Sequence, residues 1–200
     1  MKATKPKNAV CIVKNQETIR LLADFTRAEL IRLLSKHPMT EKQLSDELGI
    51  TKAAVGYHLH LLLNVGLIEI TKLEAEKHGI IQKYYAPTAS LFIVDIDNIP
   101  KDVKRFFIHT QIEHLRGMFI VFRLHRHISE VSSEKLEKLA TVLLTQLKEI
   151  AQKHLNDDSP KDPESLRVKI YSEAVAKLTE QKEWRNLFRN KNNHKEQHGA

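Results

Sequence analysis

The sequence predicts a mainly α-helical fold with one small β-hairpin, and three observations carry that prediction. Apolar residues recur at helical spacing over most of the chain. Polar capping residues stand at the start of one helical stretch after another. Between Leu67 and Tyr85 alone the period drops to two, with Ile68 and Ile70 alternating with Glu69 and Thr71.

In chain order, Asn15 is placed to cap a short helix carrying Ile19 and Leu22, and Asp24 a second holding Leu30, Ile31, Leu33 and Leu34, closed by Pro38. Thr40-Glu-Lys-Gln43 has the pattern of a reciprocal capping box, which opens a third helix with Leu44 and Leu48 on its buried stripe. Gly49 follows at once, as expected where a helix ends in a left-handed residue. Thr51 then caps a fourth helix bearing Val55, Leu59, Leu62 and Leu63 and ending at Asn64 to Gly66. The hairpin comes next, with a charged loop from Glu74 to Gly79 and a returning strand from Ile80 to Tyr85, ended by Pro87. Leu91 to Ile96 is a short apolar run that periodicity alone assigns neither to strand nor to helix.

Beyond Pro100 the pattern is helical again. Val103 to His127 shows a broad apolar face with Phe106, Phe107, Leu115, Met118, Phe119 and Phe122. Ser132 or Ser133 caps a helix whose Leu136, Ala140, Leu143, Leu147 and Ile150 alternate steps of four and three, the spacing of a packed seam. Asn156 to Pro163 reads as a linker. Asp162 and Pro163 open a last helix with Leu166, Ile170, Val175 and Leu178, extended through Trp184, Leu187 and Phe188. The expected organisation is a domain over 1–98, a helical region over 99–189 and a polar, disordered tail over 190–200.

Helix, tight glycine turn, helix and hairpin in succession are the parts of a winged helix-turn-helix, in which the second helix enters the major groove. The side of that helix not committed to Val55 and Leu59 carries Lys52, Ala53, Gly56, Tyr57 and His60. Small Ala53 and Gly56 allow close approach, while Lys52, Tyr57 and His60 are able to donate to bases or phosphates. The hairpin loop adds Lys77 and His78, and the returning strand Lys83, as candidates for the backbone or the minor groove; Glu74 and Glu76 offset part of that charge.

The runs ADFTRAELIRLL, MTEKQLSDELGITKAAVGYHLHLLLNVGLIEI and QKYYAPTA resemble the arsenic-repressor-type (ArsR-like) winged helix family, especially its archaeal members, over about Val13 to Ala89. The most specific match is Val55, His58, Leu59, Leu62, Gly66 and Leu67. The resemblance implies a transcription regulator, usually a repressor. It puts Lys52, Ala53, Gly56 and Tyr57 where such proteins meet the major groove, and Thr40 and Thr51 where helix N-termini meet phosphate. Phe25 stands where the family commonly has proline, and Gly56-Tyr57 where it often has Ser-Arg, so the resemblance implies no target sequence.

Composition agrees with a polyanion partner. The 200 residues carry a formal charge of +7 and a pI of about 9.4. Cys11 is the single cysteine, which excludes an intrachain disulfide and a zinc ribbon. The first eight residues lead into no long apolar run, and none of spanning length occurs, so cytoplasmic residence without membrane contact is expected. The family's thiolate sensors would need cysteines between Thr40 and Leu48, where there are none. His109 and Glu113 share a helical face, with His114, His125 and His127 following, but they form no compact triad, and neither metal nor cofactor is assigned. No P-loop, HExxH, paired CxxC or GxSxG string occurs, which argues against an enzyme. The later helices have more apolar surface than one small winged domain can bury, so a homodimer on double-stranded DNA is expected, with an unidentified small-molecule effector left open. The competing reading is a non-specific nucleic-acid or protein-docking module.

Overall fold

The computed structural model describes residues 6, 8–75, 81–125, 128, 130–158 and 162–189. It bears out the fold class: eight helices and two small two-stranded sheets among the described residues. The elements run β1 (Asn8–Val13), α1 (Gln16–Leu22), α2 (Phe25–Leu34), α3 (Glu41–Leu48), α4 (Lys52–Asn64), β2 (Ile68–Ala75), β3 (Ile81–Pro87), β4 (Ala89–Val94), α5 (Lys101–Leu124), α6 (Ser133–Lys153), α7 (Pro163–Thr179) and α8 (Lys182–Arg189).

The helix starts follow from local chemistry. Asn15, Asp24, Thr40, Thr51, Ser132 and Asp162 each accept a backbone N–H of the first turn through the side chain. At Thr40 the exchange is mutual: its hydroxyl accepts from Gln43 N at 3.3 Å, and Gln43 Oε1 accepts from Thr40 N at 2.9 Å. Gly49 takes φ +65°, and a Cβ built there meets nothing within 4 Å. The glycine is therefore required by the backbone of the turn and not by crowding.

Two apolar cores result. One collects Leu30, Leu34, Leu44, Val55, Leu59, Leu62 and Tyr85 of the first four helices and the hairpin, closed from below by Phe107 and Leu144. The other gathers Leu115 and Phe119 of α5, the seam of α6, Ile170, Ala174 and Leu178 of α7, and Trp184 and Leu187 of α8. The seam residues Leu136, Ala140, Leu143, Leu147 and Ile150 are all buried within the chain, so this apolar surface is satisfied without a second copy. The C-terminal helices leave outward Ile120, Val121 and Leu124 at the end of α5, the last 77% exposed, and also Phe106 near its start and Val168 of α7.

Several expectations need correction. The ambiguous run after Pro87 is a strand, β4, which pairs in parallel with β1, Val10 opposite Leu91 and Ile12 opposite Ile93. The pair lies between the cores, with Ala9, Val10 and Ile93 in one and Val13 in the other. Helix α2 stops at Leu34, well before Pro38. Strand β2 runs on to Ala75. The final helix does not continue through Trp184; it ends at Thr179, and α8 starts after a turn that lets Trp184 and Leu187 fold back onto α5 and α6. The segment 190–200 lies outside the described residues.

Candidate nucleic-acid interface

Helix α4 is anchored by Val55, Leu59 and Leu62, each no more than 1% exposed. Its opposite side is open. Lys52, Ala53, Tyr57 and His60 are exposed, Tyr57 at 62%, and His60 Nε2 lies 3.1 Å from Asn64 Nδ2 one turn on. At 100° per residue, 53, 57, 60 and 64 form one outward stripe, with Lys52 beside it at the N-terminal end. Gly56 is half-buried. A Cβ added there would meet the Glu41 carboxylate at 3.8 to 3.9 Å, an ordinary contact, so this glycine looks toward α3 and not along the outward stripe.

Thr40 is 6% exposed, and its hydroxyl is engaged in the capping box. Burial, not the cap itself, limits that hydroxyl, whose oxygen accepts from Gln43 N, and what Thr40 brings to a phosphate is the N-terminus of α3. Thr51 is exposed, its hydroxyl accepting from Ala54 N at 3.2 Å. Lys83 is exposed on β3, opposite Leu73 of β2. Lys77 and His78 lie outside the described residues.

The fold brings three of these positions together in a way no local pattern announces. Thr40, Lys52 and Lys83 line one cleft of about 260 Å³ with Glu41, Lys42, Ile81 and Gln82. Three lysines from α3, α4 and β3 face one glutamate, a formal excess of two positive charges at the N-termini of two helices. Partial positive charge from the unpaired first-turn N–H groups adds to it. Lys42 pairs with Asp46 one turn along α3, at 2.5 Å, whereas Lys52 and Lys83 have no ion-pair partner among the described residues. Lys42 was not singled out from the sequence; its place in the first turn after a capping residue was the available signal.

Behind the cleft the hairpin is fastened to the helices. Met39 and Tyr85 exchange backbone hydrogen bonds of 3.2 and 2.9 Å, and the Tyr85 hydroxyl donates to Glu41 Oε1 at 3.1 Å. Burial, reinforced by that carboxylate, pushes the Tyr85 phenol up to about 12, so it stays a donor. Thr88 closes the base, its N–H donating to Leu67 O at 3.0 Å and its hydroxyl to Gly66 O at 2.8 Å. Tyr84 lies on the other face of β3, its ring 4.9 Å from the Lys72 ammonium. Both tyrosines are thus packing residues.

His58 packs edge-on to Tyr57 with ring centroids 5.4 Å apart, and its Nδ1 is buried without a hydrogen-bond partner among the described residues. His109 Nε2 approaches Glu113 Oε1 at 3.7 Å on the exposed side of α5, and His125 is exposed beyond its end. Among the described residues no group of three or more His, Cys, Asp or Glu is gathered closely enough to hold a metal ion, and no helix is long and apolar enough to cross a membrane.

Two helices joined by a left-handed glycine, the second presented outward and followed by an antiparallel hairpin, define a winged helix-turn-helix. Comparison with known proteins agrees at that level: a family model described as a helix-turn-helix domain matches residues 22–71, a quarter of the chain. Among solved structures the chain is similar to reduced HlyU from Vibrio cholerae, at 16% identity and a TM-score of 0.29, over 56% of this chain and 90% of that one. It is also similar to the adhesin competence repressor AdcR from Streptococcus pyogenes, at 19% identity and a TM-score of 0.32, over 68% of this chain and 85% of that one. Superpositions that loose carry no argument about function. A search of curated proteins returned no match.

Proposed function

We propose that the protein is a sequence-specific regulator of transcription of the arsenic-repressor type, which binds double-stranded DNA as a homodimer and represses by occluding a promoter. The observation that carries this reading is the division of α4: aliphatic anchors on one side, Lys52, Ala53, Tyr57 and His60 exposed on the other, and a three-lysine cleft beside its N-terminus. In that arrangement α4 enters the major groove and reads base edges, a phosphate seats in the cleft, and β3 follows the backbone.

Dimerisation is supported by Ile120, Val121 and Leu124, three neighbouring aliphatic side chains left more than half exposed at the end of α5. A two-fold pair addresses successive major grooves about 34 Å apart and so requires a pseudo-palindromic site. A monomeric mass by sedimentation across the micromolar range rejects the dimer.

Specificity is tested by selecting bound sites from random DNA, then competing the selected duplex against bulk DNA. A preference of about a thousand-fold or more is expected. A ratio near one overturns the proposal and leaves a non-specific, charge-driven module.

A further inference from the structure

Between the two cores lies a second cavity, of about 250 Å³, which the DNA-binding reading does not use. Its walls come from both halves of the chain. Ile31 of α2, Leu91 and Ile93 of β4, Phe107 of α5 and Leu147 of α6 supply the apolar lining. Arg32 of α2 and Arg167 of α7 stand at its edge with Glu164, and Gln111 and Tyr171 lie further in. Gln111 is 5% exposed and already engaged, its Oε1 lying 3.3 Å from His114 Nδ1.

We propose that this cavity binds a small amphipathic carboxylic acid, with the hydrocarbon part among the aliphatic walls and the carboxylate at Arg32 and Arg167. Size sets the first limit: an apolar cavity of roughly 150 Å³ holds one benzene, so this one suits about ten non-hydrogen atoms. The walls set the second, because five aliphatic or aromatic side chains gain nothing from a polar occupant. Charge sets the third. Two guanidinium groups against one carboxylate leave the lining at a formal +1.

Both arginines have a local partner, Glu29 at 2.5 Å from Arg32 and Glu164 at 2.6 Å from Arg167. These are pairs three residues apart on the helix surface, with arginine side chains 43% and 45% exposed, and such pairs contribute little stability. Each guanidinium carries five donors, so a ligand carboxylate can take a free edge without displacing the glutamate. The positive field is felt nearby: burial, and then Arg167, lower the His114 pKa.

The test is calorimetric titration of the full chain with nonanoate and, separately, 1-nonanol, which share the hydrocarbon and differ in the head. Wild type is expected to bind one nonanoate per chain, at least about ten-fold more tightly than nonanol, a gap of about 1.4 kcal/mol. In the double variant Arg32→Gln/Arg167→Gln, both sites on the surface, the acid falls to the alcohol's affinity while the alcohol is unchanged. In Ala28→Phe, at an exposed position on the cavity edge, both weaken; unchanged melting temperatures show that each variant is folded. No saturable binding below millimolar concentration, equal affinities for acid and alcohol in wild type, an acid preference that survives the double variant, or binding indifferent to Ala28→Phe each overturns the proposal.

Discussion

Lys148 of α6 bridges to the far end of β4, and its removal makes a demanding test of how the two halves of the molecule are joined. Its ammonium lies 2.6 Å from Asp95 Oδ1 and 2.5 Å from Asp97 Oδ2. The Asp95 side chain is 4% exposed and that of Lys148 17%, while Asp97 is open to water at 74%. At an effective dielectric of 20 the Lys148–Asp95 attraction is about 6 kcal/mol, most of it offset by desolvating the two charges. In Lys148→Met the buried carboxylate keeps the backbone N–H of Asp97, at 3.1 Å, but loses its counter-charge. The expected cost is about 2 to 3 kcal/mol at neutral pH.

Asp95→Asn leaves no charge stranded, because Asp97 remains with Lys148, and should cost only about 1 kcal/mol. The pH dependence distinguishes the two variants from generic damage. In the wild type, burial raises the Asp95 pKa, but the Lys148 ammonium and the Asp97 N–H, with Asn98, more than reverse it, so the carboxyl sits below its ordinary value. Its stabilisation is therefore complete above the unfolded value of about 3.9 and fades as pH falls through the lowered native one. Without the ammonium, burial is opposed only by the Asp97 N–H and Asn98, so the variant's native pKa lies above the wild-type one and protonation costs the variant less than it costs wild type. Urea unfolding at about pH 7 and about pH 4.5 should show the gap between Lys148→Met and wild type narrowing at the lower pH. A gap that stays constant or widens, or Asp95→Asn proving the more damaging change, refutes the reasoning.

Three further outcomes are expected. Replacing Lys52 or Tyr57 by Ala should weaken binding to the selected DNA site by about ten-fold or more while relaxing preference at one position; unchanged affinity and preference in a binding titration remove those side chains from the readout. Lys83→Ala should weaken binding to all sequences alike and flatten the dependence of log affinity on log salt by about one, and an unaltered slope places Lys83 in solvent. Gly49→Ala should cost about 1 kcal/mol in urea unfolding even though its methyl meets no atom within 4 Å, since the penalty is the left-handed backbone itself; an Ala variant as stable as wild type contradicts the assignment of the turn.

What the sequence made legible was what is decided within one or two turns of chain. The caps at Asn15, Asp24, Thr40, Thr51, Ser132 and Asp162 each act three residues away or less, and Gly49 is read from its own position. The buried side of α4 was legible because periodicity alone fixes it. The β1–β4 pair was not, because Val10 and Leu91 become partners only once everything between them has folded, and the short apolar run from Leu91 to Val94 carries no periodicity that marks a strand. The break after α7 is also silent, since neither glycine nor proline stands near Glu180. The lysine cleft was half legible: Lys52 and Lys83 were evident as exposed cations, but their meeting with Lys42 depends on how β3 docks against α3. The bidentate contact of Arg20 with Asp102, which ties α1 to α5, escaped for the same reason.

The fastening of the hairpin at Met39, Glu41 and Thr88 makes its base a fixed gauge. The jaws of that gauge are the N-terminus of α3 and the root of β3, held together by backbone bonds and a phenol that does not ionise at ordinary pH. Farther along the hairpin, Leu73 and Ile81 stand 61% exposed. On the proposed reading, a duplex whose groove width departs from the gauge must deform to fit, and its own stiffness becomes part of what is selected.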